Sequence, residues 1–286
     1  MRRVVGRQRA SALRVHQGRL PTVDAEAVNL GHLLGAGRRG HRGAWEQEQQ
    51  CPEEAAHPFR GLREGGSFVN PQHTSGTVTY SKERARLAQR VAENVPGCDP
   101  RILEAIAAVP RHEFLPQAEW DAAYDDRALP IGEGQTISQP SMIAIMLQAL
   151  QCPAGGRALE VGAGCGYAAA LLAALAREVH AVEIRPALAE RARATLARLG
   201  IDNVTIHVRD GSGGLPEHAP YDAVLVSAAP RSVPPALAEQ LAVGGRLAVP
   251  VGDDWSQRLL VAERPATGEL EWRESVPCMF VPLVVE

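Results

Sequence analysis

Leu159-Glu160-Val161-Gly162-Ala163-Gly164-Cys165-Gly166 constrains the fold more than any other stretch, because an apolar run holding one acid passes into three alternate glycines. This pattern predicts a strand that turns tightly into a helix beside a bound ligand. Glycine has no Cβ, so it adopts positive φ and lets the backbone approach a molecule that a larger residue would hold off. The nearest rival is the dinucleotide fingerprint, Gly-x-Gly-x-x-Gly with phosphate at the helix start. Here the third glycine comes one position early and Glu160 precedes the loop.

From this point the chain alternates regularly. The apolar spacing predicts strand 158–161, helix 167–175, strand 179–184, helix 186–199, strand 204–208, strand 223–227, helix 234–241 and strand 246–251. Alternation of this kind argues for a doubly wound, Rossmann-like α/β sheet. Two helices precede it as an N-terminal cap. Leu87, Val91 and Val95 recur four apart within 82–95, and Ile102, Leu103, Ile106 and Val109 form a second stripe. Asp99 is placed to cap that second helix, Pro100 to sit at its first position, and Pro110 to end it.

Residues 1–78 differ in kind, being rich in Arg, Gly, Gln and His with no sustained apolar period. They read as a disordered or mis-assigned extension, leaving 79–286 as the folded domain. The extension holds 11 arginines against 7 acids, whereas the whole chain carries a net charge of −3. That balance predicts no general attraction to nucleic acid or membrane. No apolar run reaches the ~18 residues of a membrane span, and Arg7 and Arg9 interrupt the start before a signal-peptide core can form. A cytoplasmic, monomeric enzyme is the expectation. Cys51, Cys98, Cys152, Cys165 and Cys278 are scattered without a Cys-x-x-Cys pair, so neither disulfides nor a metal site is indicated.

Two further acids fall where such a sheet binds ligands. Glu183 ends the second strand and can accept hydrogen bonds from both ribose hydroxyls of an adenosine, while Asp210-Gly211 follows the third strand, near the adenine amino group. The order of glycine loop, Glu183 and Asp210 resembles S-adenosyl-L-methionine-dependent methyltransferases, whose first motif has the glycine spacing of Gly162, Gly164 and Gly166. Glu160 is expected either to be a buried carboxylate bonded to loop amides or to act indirectly on the methionine amino group. Cys165 reads as a small loop filler, with no His nearby in sequence to activate it.

Leu129 to Pro140 is the second unusual stretch, read as a glycine-punctuated loop entering a helix near Pro140, with Ser138 at the N-cap. Ser138 can satisfy an orphan amide there, or, together with the free amides of the helix start, hold an acidic acceptor. In this stretch, in Val109 to Phe114, Tyr124-Asp125, Leu159 to Gly166, Asp210-Gly211, Leu241 to Leu247, Pro250 to Gly252 and Phe280 to Leu283, the chain resembles the protein-L-isoaspartate O-methyltransferase family. The run Gly134-Gln135-Thr136-Ile137-Ser138-Gln139-Pro140 is its most specific mark.

The resemblance implies methyl transfer from S-adenosyl-L-methionine to the α-carboxyl of L-isoaspartyl residues in damaged proteins and peptides. It makes Ser138 the active-site serine and Gln135, Thr136, Ile137, Ser138, Glu160, Glu183, Asp210 and Gly211 cofactor-contacting positions. Val284 and Arg231 depart from its common pattern, Arg231 standing close to the expected substrate mouth. His112 reads as a structural hydrogen-bonding residue, since the reaction has no proton to move. One alternative keeps fold and cofactor but methylates Asp of a ribosomally made peptide; another gives the basic extension an RNA-binding role.

Overall fold

The computed structural model describes residues 80–286; the expectation of disorder for 1–78 lies outside them. Helix α1 (Ser81–Asn94) buries Leu87 and Val91 of the expected stripe together with Ala88, while Val95, the third member, is buried at its C-cap. In α2 (Pro100–Ala108) the Asp99 side chain accepts from the Arg101 amide at 2.9 Å and proline occupies the first turn. Both helices pack beside α3 (Pro140–Leu150) over one face of the sheet.

Between α2 and α3 the structure corrects the sequence reading. The segment expected to be loop forms a hairpin of β1 (Leu129–Gly132) and β2 (Gln135–Ile137), antiparallel, with Leu129 opposite Ile137. Glu133 and Gly134 turn it with φ of 54° and 68°, the paired positive values that a two-residue hairpin loop needs. Pro130 and Gly132 had masked the period-two pattern.

The central sheet contains β3 (Arg157–Val161), β4 (Glu178–Glu183), β5 (Val204–Val208), β6 (Tyr221–Val226), β7 (Leu241–Gly252), β8 (Gln257–Glu263) and β9 (Glu271–Cys278). Its spatial order is β5-β4-β3-β6-β7-β8-β9, parallel through β7 and antiparallel beyond. The chain winds outward from β3 to β5 and then returns to the other side of β3 with β6. Ligands of open α/β sheets bind at that reversal, outside the carboxyl ends of the strands.

Helices α4 (Tyr167–Leu175) and α5 (Pro186–Arg198) join the first cap on one core, and the short α6 (Pro235–Glu239) covers part of the other face with Leu215, Tyr221 and Val224. Because both faces are covered, β3, β4 and β6 are buried almost without interruption, as expected of parallel strands under helices.

Helix α6 ends two residues before the expected 241, and β7 starts five residues before the expected 246. Leu241 pairs with Tyr221 while Arg246 pairs with Ala223, so a bulge takes up the residues between. A Cβ on Gly245 would lie 2.7 Å from the Tyr221 carbonyl oxygen, so the bulge needs glycine there. Strands β8 and β9 were not anticipated. Most of β9 is exposed and polar, so burial imposes no alternation on it.

Candidate functional site

The glycine loop leaves β3 at the sheet's carboxyl edge with Gly162, Gly164 and Gly166 at φ of 86°, 55° and 88°. These left-handed values fold the loop back so that the Gly162 and Ala163 amides donate to the Val182 carbonyl at 2.8 and 3.0 Å. Gly164 donates instead to Glu183 Oε2 at 2.7 Å, and the Arg185 amide donates to Oε1 at 2.9 Å. Glu183 is therefore fixed at the end of β4 by one bond on each oxygen. A carboxylate has about four lone-pair sites, so each oxygen can accept once more.

A cavity opens at this edge. Its wall takes Gln135 and Thr136 from β2, Gly162 and Gly164 from the glycine loop, Glu183, and Gly211 after β5. It also takes Ser227 and Ala228 beyond β6 and the tail segment Val281 to Val284. That tail is stitched in place: the Ala229 amide donates to Val281 at 2.8 Å, Leu283 donates back to Ala229 at 2.9 Å, and the Glu286 amide donates to Asp210 Oδ2 at 3.0 Å. The second oxygen of Asp210 accepts from the Ser212 amide at 2.8 Å.

The remaining sequence candidates stand near the cavity wall rather than on it. Ile137 is a core side chain, 3% exposed. Gly166 begins α4, where a Cβ would come within 3.1 Å of Ala192 Cβ on α5. Glu160 is 1% exposed, and its carboxylate accepts from the Ser227 hydroxyl at 2.8 Å. The expected bonds from loop amides go to Glu183 and Val182 instead. Oε2 of Glu160 has no partner among the described residues.

Burial pushes Glu160 up to about 8, outweighing the lowering by Ser227, with Glu183 adding a smaller rise. A raised folded pKa means that the native protein keeps a proton which the unfolded chain releases near pH 4.5. Its stabilising effect is full at low pH and fades as pH rises through about 8. His180 and His207, both held below 6.5 mainly by burial, act in the opposite sense, but only below that value. Glu160→Gln is therefore expected to gain stability relative to the parent between pH 6.5 and 8. Urea titrations across that window check this, and a difference that does not change with pH would refute it.

Ser138, half-buried between β2 and α3, is not the N-cap. Gln139 holds that position without a side-chain capping bond, its side-chain amide instead donating at 3.2 Å to the anion at the helix start, Asp126. Its carboxylate accepts from the Ser141 amide at 2.8 Å, the Ser141 hydroxyl at 2.6 Å and Asn94 at 2.8 Å. Partial burial opposes ionisation of Asp126, yet the Ser141 hydroxyl and amide keep its pKa below the ordinary value. The helix-start amide expected to hold an acidic acceptor is thus already taken. Among the described residues the Ser138 hydroxyl bonds no protein group, while its carbonyl accepts from Arg111 Nη2 at 3.2 Å.

Arg111 is fully buried and was not singled out from the sequence, nor were Asp126 and Ser227. Ser227 directly follows the apolar run of β6, at the carboxyl edge, and that placement was a usable signal. Cys165 is buried with its thiol pushed up to about 11 by desolvation, in keeping with a filler. His112 Nδ1 lies 2.5 Å from the Tyr124 hydroxyl, a structural bond as expected. Arg231 is exposed.

The donor set suits an adenosyl ligand. Glu183 retains acceptor capacity at the wall, Val161, Val182 and Ile184 add apolar surface, and the glycine backbone leaves room for close approach.

The family profile described as Protein-L-isoaspartate(D-aspartate) O-methyltransferase matches residues 82–286. A protein-L-isoaspartate O-methyltransferase of Roseiflexus sp. (strain RS-1) is 54% identical over 186 residues, covering 65% of this chain and 85% of that protein. A solved protein-L-isoaspartate O-methyltransferase superimposes with a TM-score of 0.64 at 30% identity, covering 70% of this chain and 65% of its own. A Plasmodium falciparum structure of the same description, in complex with S-adenosyl-L-homocysteine, has a TM-score of 0.62 at 24% identity and covers 70% of this chain and 98% of its own; at that identity it speaks for the fold.

Proposed function

This chain belongs to the protein-L-isoaspartate(D-aspartate) O-methyltransferase family, and from that premise we propose that it methylates the α-carboxyl of L-isoaspartyl residues in damaged proteins, with S-adenosyl-L-methionine as donor. One observation carries the reading: the matched span 82–286 contributes every wall of the cavity at the sheet's carboxyl edge. Residues 79–286 accordingly form the methyltransferase domain in our reading.

When bound, S-adenosyl-L-methionine supplies an electrophilic methyl group. The acceptor is a carboxylate, already ionised at neutral pH, so the protein needs no general base. What its residues do is bind, align and exclude water. In our assignment Glu183 accepts the ribose hydroxyls, Asp210 and Gly211 face the adenine, and Gln135 and Thr136 with Gly162 and Gly164 border the methionine portion. Glu160 acts from behind, through Ser227. The tail from Val281 to Val284 covers the site, with its backbone tied to Ala229.

Ser138 donates a hydrogen bond that orients the acceptor carboxylate. Its hydroxyl is uncommitted among the described residues, and Arg111 holds its carbonyl. The methyl ester is then attacked by the next backbone nitrogen and loses methanol, and the resulting succinimide hydrolyses in part to normal aspartate. This last sequence needs no further group from the protein.

A hydrogen bond to a charged group contributes about 1.5–3 kcal/mol, so Ser138→Ala is expected to lower kcat/KM roughly 10- to 100-fold, with cofactor affinity unchanged. Methyl-labelled S-adenosyl-L-methionine, offered with paired Asp and isoAsp peptides, tests acceptor and serine together. Preference for the normal Asp peptide would transfer the assignment to the imide-forming alternative. Unchanged kinetics in Ser138→Ala would remove the serine's role.

We also take the enzyme to be a monomer in a reducing cytoplasm that does not depend on nucleic acid. In support, one chain supplies the whole cavity wall, and among the described residues Cys98, Cys152, Cys165 and Cys278 are unpaired. Among the described residues no helix is long and apolar enough to cross a membrane.

A further inference from the structure

Away from the cofactor cavity, three histidines converge from three separate segments: His180 near the amino end of β4, His207 on β5, and His218 on the 3-10 turn Pro216–His218. One ring nitrogen from each lies within 4.8 Å of the others. The sheet produces this meeting, since the β4–β5 register sets Val182 opposite His207 and His180 opposite Thr205, so the two histidines are diagonal neighbours. His218 then lies over His180, ring centroids 4.0 Å apart.

The geometry points to a zinc site here, with His180, His207 and His218 as ligands and the fourth position left to water. His180 Nδ1 and His207 Nε2 are 3.1 Å apart. Tetrahedral zinc with metal–nitrogen bonds of 2.0–2.1 Å needs nitrogens roughly 3.3 Å apart, so this edge of the tetrahedron is nearly built.

The tautomer of His180 is set as well. Glu178 Oε1 lies 3.0 Å from His180 Nε2 and can only accept, so the proton sits on Nε2 and the Nδ1 lone pair faces His207. A carboxylate behind a ligating imidazole is the usual outer support of a metal-bound histidine. Glu178 is itself held by Arg157, whose Nε donates to Oε2 at 2.9 Å and whose Nη1 donates to the His218 carbonyl at 2.9 Å.

On binding, the proton between His180 and His207 moves to the outer nitrogen of His207, and the His218 ring rotates off its stack to complete the set. Three neutral imidazoles suit zinc, or copper and nickel, rather than calcium or magnesium. His207 and His218 are half-buried, giving the ion a path from solvent. The consequence is structural: zinc would clamp the β5–β6 connection to the sheet, toward the end of β4 opposite Glu183.

Zinc titration of the full chain by calorimetry, with the His207→Gln and His218→Gln variants alongside, tests the site. The two side chains are partly exposed, so the fold is expected to survive, and equal unfolding temperatures in EDTA confirm it. Five more histidines lie in residues 1–79, and whatever they bind is common to all three proteins. The expected result is one zinc equivalent bound by the parent and weakened 100-fold or more in each variant. A zinc-dependent rise in Tm of several degrees should be confined to the parent, and cobalt should give a four-coordinate visible spectrum lost in His218→Gln. Equal stoichiometry, affinity and cobalt spectra in all three proteins would overturn the proposal.

Discussion

Glu183→Ala is expected to weaken S-adenosyl-L-methionine binding by roughly 100- to 10,000-fold, the largest functional loss from any single substitution at the cavity. The estimate follows from two hydrogen bonds between a carboxylate and ribose hydroxyls at about 1.5–3 kcal/mol each, converted at 1.4 kcal/mol per decade. Glu183 also anchors the glycine loop through the Gly164 amide and the start of α5 through the Arg185 amide. Alanine removes both anchors, so the loop loses its preset shape in addition to the ribose contact proposed for Glu183.

The two losses can be separated. Glu183→Gln keeps one acceptor oxygen but turns a donor toward an amide that needs an acceptor, so it should fall between parent and alanine variant in affinity. Calorimetry with S-adenosyl-L-methionine measures the affinities, and thermal unfolding without ligand reports the loop. Affinity within tenfold of the parent for Glu183→Ala would show that the ribose contact lies elsewhere.

Glu183 was legible in the sequence because topology alone places a strand-end acid at the ligand edge. The same holds for the glycine loop and for the order of strands β3 to β7, where covered faces demand continuous apolar runs. What the sequence concealed has a common cause, contacts between distant segments. Asp126 looked like one of several acids in a polar stretch, yet it caps α3 from 15 residues away. The tail reaches Asp210 across 76 residues. Ser138 was misplaced by one residue because Ser before Gln-Pro reads locally as an N-cap, whereas a nearby carboxylate already satisfied the helix. The hairpin was hidden for a different reason, since its turn rests on backbone conformation at Gly132, Glu133 and Gly134 rather than on apolar alternation.

Arg111 is the strongest instance of a long-range contact, and its removal is the second large effect. Its side chain is fully buried, with Nη1 on the carbonyls of Ala123 and Asp125 at 2.5 and 3.4 Å, and Nη2 on those of Arg127 and Ser138 at 2.9 and 3.2 Å. One guanidinium thus ties the segment after α2, the approach to the hairpin and the residue assigned to the acceptor carboxylate. Burial lowers its pKa, with Tyr167 the largest opposing influence, but a guanidinium stays protonated in proteins. The planar fork is what the site uses, because it reaches separate carbonyls in fixed directions.

Arg111→Ala leaves those carbonyls unpaired around a cavity, and losses of this kind cost about 3–5 kcal/mol. For a folded domain of this size the expected fall in Tm is about 10 °C. Arg111→Lys, whose ammonium has three donors but no fork, should recover part of the stability. It should still reduce turnover, because the Ser138 carbonyl is among the contacts it is least able to keep. Thermal unfolding of both variants, with isoaspartyl-peptide kinetics on Arg111→Lys, decides the matter: a Tm within 2 °C of the parent for Arg111→Ala would mean that the hairpin is held by its core residues Leu129, Ile131 and Ile137 without the arginine.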